Sequence, residues 1–226
     1  MTIRPEPFWI WPGWRQLGYA GLLALAVSVW FEIIYGGANF LAGQHSHRVR
    51  IHLDAELAVP LIPATVLLYM SLYLLFWAAP FILHSRHELK ALTVTLAAVT
   101  LCAGIGFLFF PAETAFPPPG DMGIWTGLVR FARAVALRYN CVPSLHVALS
   151  VVCIGIFASR ARIPARVLLW SWAVAICAST VLLHQHHLVD VITGFALGLA
   201  GVRWVYWRWT TPILQANLST HPAPPA

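Results

Sequence analysis

Six long apolar segments divide the sequence, and their length limits the folds that the chain can adopt. They fall at about residues 17–39, 57–83, 89–110, 144–160, 167–184 and 190–207. A helix of roughly 20 apolar residues crosses the hydrocarbon core of a bilayer, which is about 30 Å thick. We therefore predict an all-α polytopic membrane protein with six transmembrane helices in one bundle. Only 10% of the residues are charged, whereas about 25% is usual in soluble domains.

One membrane-embedded domain is expected to occupy the whole of residues 1–226. Its core extends over about residues 17–208, and residues 211–226 have the Pro-rich, polar composition of a disordered tail. The sequence contains no internal repeat and no sign of a second domain.

The distribution of Lys and Arg predicts how the bundle is oriented. Cytoplasmic connections carry an excess of these residues, which favours a multi-pass protein of the cell (inner) membrane with both termini in the cytoplasm. The side so defined carries Arg4, Arg15, Arg86, Lys90, Arg160, Arg162, Arg166, Arg203 and Arg208. The opposite side, facing the periplasm or exterior, receives Arg48, Arg50, Arg130, Arg133 and Arg138. The net charge of +6 thus reflects membrane topology, and no nucleic-acid partner is expected.

The connection over residues 111–143 is unusually long for a loop without structure. It begins with PAETAFPPPGD, whose three consecutive prolines exclude a helix. It continues as IWTGLVRFARAVALRY, in which apolar residues and three arginines could segregate onto two faces. This pattern predicts a short interfacial helix on the outward side.

Two polar segments meet at the same outward face, NCVPSLHVALS at 140–150 and STVLLHQHHLVD at 179–190. Pro143 suits the start of a helix, because its missing N–H would be unsatisfied there anyway. The free amides of that helix and the positive end of its dipole form an anion site. His146 is expected one turn inside this site.

His186 and Asp190 are four residues apart, which places them on one face if the turn is helical. A carboxylate that accepts a hydrogen bond from one imidazole nitrogen leaves the other nitrogen as a nucleophile. A second histidine, His146, could then donate a proton to a leaving oxygen. The pattern therefore indicates displacement chemistry.

HQHHLVD is also compatible with a metal site or with a solvated polar turn. His184, His186 and His187 are plausible zinc ligands, although three histidines in the pattern HxHH on a helix cannot all point at one ion. A polar turn would need no chemical role for these side chains. Glu32, inside the first apolar segment, is a functional candidate by default, and snorkelling or an internal hydrogen bond explains it equally well.

PSLH at 143–146 resembles the P-S-G/L-H motif of the type 2 phosphatidic acid phosphatase superfamily. Ser179, His186 and Asp190 resemble its S-R-x₅-H-x₃-D motif. Leu145 and Thr180, which replace the usual Gly and Arg, are similar to the branch of inositol phosphorylceramide synthases and related sphingolipid phosphotransferases. LDAELAVPLIP at 53–63 also resembles the sequence that precedes the second span in that branch.

The resemblance implies a metal-independent enzyme without a cofactor that acts on a lipid phosphate ester in the membrane. In this interpretation His186 forms a phosphohistidine, Asp190 orients it and His146 protonates the leaving alkoxide. The alternatives are transfer of a polar head-group phosphate to a ceramide-like or diacylglycerol-like acceptor, and a non-catalytic membrane transporter or binding protein. The oligomeric state is not specified.

The phosphate-binding residues are less evident, because the superfamily's upstream K-x₆-R-P motif has no strict counterpart here. Phosphoryl transfer requires cationic donors around the phosphate oxygens. Arg138, which is nearest to PSLH, is the favoured candidate. The other candidates are Arg133, Arg130, His184 and Ser144 with the amides that follow Pro143.

Overall fold

Residues 7–210 are described by a computed structural model, and seven helices account for most of this range. They are α1 Trp14–Gly43, α2 Pro63–Ile82, α3 Arg86–Phe109, α4 Thr126–Val135, α5 Leu145–Arg160, α6 Ile163–Leu182 and α7 Leu188–Thr210. Short 3₁₀ turns lie at Asp54–Ala58 and Gly123–Trp125. The all-α prediction is confirmed. The proposed tail at 211–226 and Arg4 lie outside the described residues.

Five helices in this range are long and apolar enough to cross a membrane: α1, α2, α3, α6 and α7. The sixth predicted span is the shorter apolar helix α5. The chain is therefore a multi-pass membrane protein by helix length and hydropathy. The predicted start of the second span at residue 57 is wrong, because its helix begins only at Pro63. Pro60 and Pro63 prevent a continuous helix through this stretch.

Helix α5 lies in the middle of the bundle, and most of its side chains are buried. It packs most extensively against α7 and α6. Gly194 and Gly198 of α7 allow the close approach, since a Cβ at these positions would lie 2.3 Å from the Ser144 carbonyl oxygen and 2.6 Å from that of Ala148. Small residues in this spacing let membrane helices pack backbone to backbone.

The two ends of the bundle differ in their polar contacts. At one end, Ser85 and Glu88 form a capping box that starts α3. Glu88 forms an ion pair with Arg160 at the end of α5. We call the other end the histidine end; it holds the last residues of α1, α3 and α6, the first residues of α2, α5 and α7, and the connections between them.

The predicted interfacial helix in the long connection is present as α4 at the histidine end. Val129 and Ala132 are buried and pack with Val66, Tyr69 and Leu183. Its apolar face thus closes over α2 and the turn after α6. Arg130 is exposed on another face, as the segregated pattern predicted.

Candidate active site

The two polar motifs are in direct contact at the histidine end. Ser144 is the N-cap of α5, and its hydroxyl accepts a hydrogen bond from the Val147 amide at 3.4 Å. Its own amide donates to the Asp190 carbonyl at 2.9 Å. Because the first amides of a helix have no intrahelical acceptor, those of Leu145 and His146 are left to meet an anion.

His186 and Asp190 are in contact, but their turn is not helical. Asp190 lies in the first turn of α7, whereas His186 precedes that helix and its amide bonds to the Thr180 carbonyl. Nδ1 of His186 is 3.3 Å from Oδ2 of Asp190. The same oxygen accepts from the amide of His187 at 2.9 Å. The spacing predicted a shared face only for a helical turn; that condition is not met, and the N-terminal turn of α7 brings the pair together instead.

His146 is fixed by Tyr69 on α2. Its Nε2 lies 2.7 Å from the Tyr69 carbonyl oxygen, and the two rings stack with centroids 3.8 Å apart. A carbonyl oxygen can only accept, so Nε2 carries the hydrogen and Nδ1 is the nitrogen free to exchange a proton. At Ser71 the regular pattern of α2 is interrupted, because the Ser71 amide bonds back to the Leu68 carbonyl. This irregularity lies beside the carbonyl that His146 uses.

A cavity of about 410 Å³ joins the two histidines. His146, His186 and Asn140 line it at the histidine end, and side chains of α1, α2 and α3 line the rest. On α1 the lining residues recur every three or four positions along one face: Ala20, Ala24, Val27, Phe31 and Tyr35. This mostly apolar interior is continuous with the polar site.

The neighbouring histidines are held by partners of their own. Nε2 of His184 lies 2.9 Å from the Val59 carbonyl oxygen. The ring of Phe116 stacks on the rings of both His184 and His187, with centroids 4.0 and 4.6 Å apart. His184, His186 and His187 thus bond to different groups. Across residues 7–210, no three His, Cys, Asp or Glu side chains are grouped so as to hold a metal ion.

Glu56 forms the polar anchor of this turn and was not identified from the sequence. Its Oε2 lies 3.0 Å from both Nδ1 of His187 and the Leu188 amide, and its Oε1 accepts from the Leu53 amide at 3.1 Å. Burial opposes ionisation of Glu56, but the Leu188 and Leu53 amides and His187 outweigh it and lower its pKa. The 3₁₀ turn at Asp54–Ala58 is therefore attached to the start of α7.

His187 is fully buried and neutral in this arrangement. Its Nε2 accepts a hydrogen bond from the Ala115 amide at 3.1 Å, so the ring hydrogen is on Nδ1 and points at Glu56. Burial is the largest influence and lowers the pKa of His187 below its ordinary value, despite the nearby carboxylate. A sequence signal for this pair is lacking, since the two residues are 131 positions apart.

The three candidate arginines occupy different environments. Arg138, the favoured one, forms a 2.6 Å ion pair with Glu113, and its side chain is 70% exposed. Arg130 is exposed. Arg133 is half-buried, and its buried Nη1 has no hydrogen-bond partner among residues 7–210. Desolvation lowers the pKa of Arg133. Nε2 of Gln185, next to His186, is likewise buried without an acceptor in that range.

Taken with the fold, these contacts define an integral-membrane protein with a His–Asp pair and a second histidine around one cavity. Residues 112–213 match the model of the PAP2 superfamily, a range that includes both motifs. This part of the chain is therefore similar to the PAP2 superfamily, whose members are typically metal-independent phosphatases. Neither a curated protein nor a solved structure matches the chain. The resemblance to the sphingolipid phosphotransferase branch stays a prediction.

Proposed function

We propose that the protein cleaves or transfers the phosphoryl group of a lipid phosphate ester through a phosphohistidine on His186. The observation that carries the proposal is the shared cavity, in which His146 and His186 stand at one end of an apolar interior. Its lining on α1 extends from Ala20 to Tyr35, about 22 Å at 1.5 Å per residue. A hydrocarbon chain fits such a space, with its phosphate at the histidines.

In the first step, Nε2 of His186 attacks phosphorus and the bond from phosphorus to the lipid oxygen breaks. Asp190 holds Nδ1 of His186 and stabilises the positive charge that develops on the ring. In this step His146 takes part as an imidazolium: its Nε2 hydrogen stays bonded to the Tyr69 carbonyl, and its Nδ1 hydrogen passes to the leaving oxygen. The products of this step are the lipid alcohol and phosphohistidine.

In the second step, water attacks phosphorus and passes a proton to Nδ1 of His146, while the bond from phosphorus to nitrogen breaks. Inorganic phosphate leaves and both histidines return to their starting state. A hydroxyl group of another lipid can replace water at the same intermediate. Transfer of a head-group phosphate to a ceramide-like or diacylglycerol-like acceptor is therefore the competing outcome of one site.

Hydrogen-bond donors without partners support the proposed binding of the phosphate oxygens. Nη1 of Arg133 and Nε2 of Gln185 are both buried without an acceptor in the described range, and the first amides of α5 add backbone donors. A buried donor without an acceptor is costly, and a phosphate would remove that cost. Arg138 is a weaker candidate than its position in the sequence suggests, because its guanidinium is already paired with the Glu113 carboxylate.

The orientation of the site forms part of the proposal. Arg160, Arg162 and Arg166 crowd the end of the bundle opposite the histidines, and such clusters are retained in the cytoplasm. The histidine end then faces the periplasm or exterior. A reaction that needs only a lipid phosphate and water, or a second lipid, suits that compartment.

The decisive experiment incubates the purified protein with lipid phosphates in detergent and EDTA, while free phosphate and new phospholipid products are both measured. Quenching with alkali preserves phosphohistidine, so radiolabelled substrate should leave label on the wild type and none on His186→Ala. His45→Ala is the control, because His45 is exposed at the same end and outside the cavity. Turnover by His186→Ala, or activity that zinc alone restores, would contradict the proposal.

A further inference from the structure

Glu32 carries the only carboxyl side chain among the described residues that line the cavity. It begins a π-helical turn, Glu32–Gly36, within the otherwise α-helical α1. Ser28, Glu32 and Tyr35 face the cavity from the same side of this helix. Single π-turns inside α-helices occur frequently at functional sites.

A carboxyl group at this position is costly unless something satisfies it. Glu32 lies inside the first membrane-spanning helix, and its carboxyl group forms no hydrogen bond or ion pair within residues 7–210. Ionisable residues within membrane segments are costly, and they generally face the interior of the bundle or a cavity, where they have a partner. Because the Glu32 side chain is exposed and lines the cavity, a ligand in the cavity can supply that partner.

The depth of Glu32 relative to the phosphate site indicates what it would meet. The Asn140 side-chain amide donates to the Tyr35 carbonyl at 2.7 Å, which ties α1 to the segment that leads into Pro143. Glu32 is three residues before Tyr35 and therefore about 4–5 Å farther from the histidine end. It thus lies about one helical turn deeper in the cavity than the Tyr35–Asn140 contact, and Asn140 lines the cavity at the same end as His146 and His186. In a lipid phosphate, this is the level of the carbon atoms next to the ester.

We propose that Glu32 is a specificity-determining residue that accepts a hydrogen bond from a hydroxyl or amide N–H group on the lipid backbone, close to the phosphate ester. This inference rests on the proposed function and adds the chemical class of the substrate. Phosphorylated N-acyl amino alcohols carry such donors at the required depth. A diacylglycerol phosphate offers only ester oxygens there, which a carboxylate does not bind.

Binding of the lipids without their phosphate tests this inference independently of catalysis. Tryptophan fluorescence of the full-length protein in detergent would be titrated with a ceramide and with a diacylglycerol of matched chain length, each with its terminal hydroxyl blocked as a methyl ether, so that only the ceramide keeps hydroxyl and amide donors on its backbone. We expect Glu32→Ala to weaken binding of the ceramide roughly 10- to 100-fold, the usual loss for a hydrogen bond to a charged group, and to leave diacylglycerol binding unchanged. Glu32→Gln retains an acceptor oxygen and should give an intermediate loss.

Asp54→Ala is the matched control, because Asp54 is an exposed carboxylate outside the cavity. Removal of Glu32 breaks no contact within the described range, so the variant should remain folded in detergent, as size-exclusion chromatography can show. An equal loss for both lipids, or no loss for either, would overturn the role of Glu32. If Glu32-dependent binding is present but no lipid phosphate is turned over, the proposed function fails and the role of Glu32 stands.

Discussion

Nδ1 of His187 lies 3.0 Å from Oε2 of Glu56, although 131 positions separate the two residues. The same carboxylate oxygen accepts the amide of Leu188, the first residue of α7. The chain between α1 and α2 is thereby attached to the turn that carries His186 and leads into Asp190. The structure gives His187 a role of its own in HQHHLVD, in which it anchors the turn.

Replacement of Glu56 tests this anchor. Glu56→Gln turns one acceptor oxygen into a donor, so a buried N–H of Leu53, His187 or Leu188 loses its acceptor at a cost of about 1–3 kcal/mol. We expect a lower thermal unfolding midpoint in detergent and a lower kcat with little change in KM. Asp54→Asn, in the same 3₁₀ turn with an exposed side chain, should behave as wild type. Equal effects of the two substitutions would show that Glu56 does not anchor the turn.

The Glu56–His187 pair should make stability depend on pH. The pKa of His187 is lowered in the folded protein, so the unfolded chain takes up its proton first as the pH falls. The stabilisation is complete above the ordinary value of 6.5 and is lost as the pH falls below it towards the folded pKa. The lowered pKa of Glu56 adds a second loss below 4.5. Unfolding midpoints recorded from about pH 8 to about pH 2 would reveal both steps.

His187→Asn provides the comparison for the upper step. Asparagine keeps an N–H that can donate to Glu56, but it does not titrate. This variant should therefore show a shallower decline between pH 6.5 and about pH 5 than the wild type. Parallel curves for the two proteins would assign the pH dependence to other groups.

Substitution of the arginines separates the two candidates for phosphate binding. Arg133→Gln removes a half-buried guanidinium whose Nη1 has no partner in the described range. We expect inhibition by orthovanadate, a phosphate mimic, to weaken roughly 10- to 100-fold. Arg138→Gln breaks a 70% exposed ion pair with Glu113 and should change it less than about fivefold. The reverse order would restore Arg138 as the phosphate-binding residue.

Close packing of α7 on α5 should be sensitive to a single methyl group. In Gly194→Ala the new Cβ would lie 2.3 Å from the Ser144 carbonyl oxygen, so the helices must separate. The Ser144 amide also donates a hydrogen bond to the Asp190 carbonyl. We therefore expect a loss of activity, together with a fall of about 1–3 kcal/mol in the free energy of unfolding. Gly18→Ala on α1, where no heavy atom lies within 4 Å of the new Cβ, is the control. Wild-type activity in Gly194→Ala would show that this contact is dispensable.

Cysteine labelling in intact cells tests the orientation. In a variant whose four natural cysteines are replaced, Ser46→Cys lies exposed at the histidine end and Ile163→Cys at the opposite end. The cluster of Arg160, Arg162 and Arg166 predicts a cytoplasmic location for residue 163. A membrane-impermeant maleimide should react with Ser46→Cys from outside, and with Ile163→Cys only after the membrane is opened. The opposite result would place the active site in the cytoplasm.

Apolar runs of span length were sufficient to predict the all-α membrane fold, because such runs have few other stable structures. The sequence also identified α4, whose pattern of Val129 and Ala132 against Arg130 is a local periodicity that survives folding. The PSLH and HxxxD patterns pointed to His146, His186 and Asp190, since these motifs are short and contiguous. The spacing of His186 and Asp190 predicted a shared face only for a helical turn, and the turn is not helical at His186; the first turn of α7 brings the two side chains together instead.

The way in which these residues are held depends on tertiary contacts that no local pattern reveals. The Tyr69 carbonyl that fixes His146 is 77 positions away, and an interruption at Ser71 distinguishes this stretch of α2. The pairing of Arg138 with Glu113, and the unpartnered Nη1 of Arg133 within residues 7–210, likewise depend on how the long connection folds over α2. Glu56 reaches His187 only once α2, α6 and α7 have packed. Such contacts leave no periodic trace in the chain, because each depends on the positions of helices that are distant in sequence.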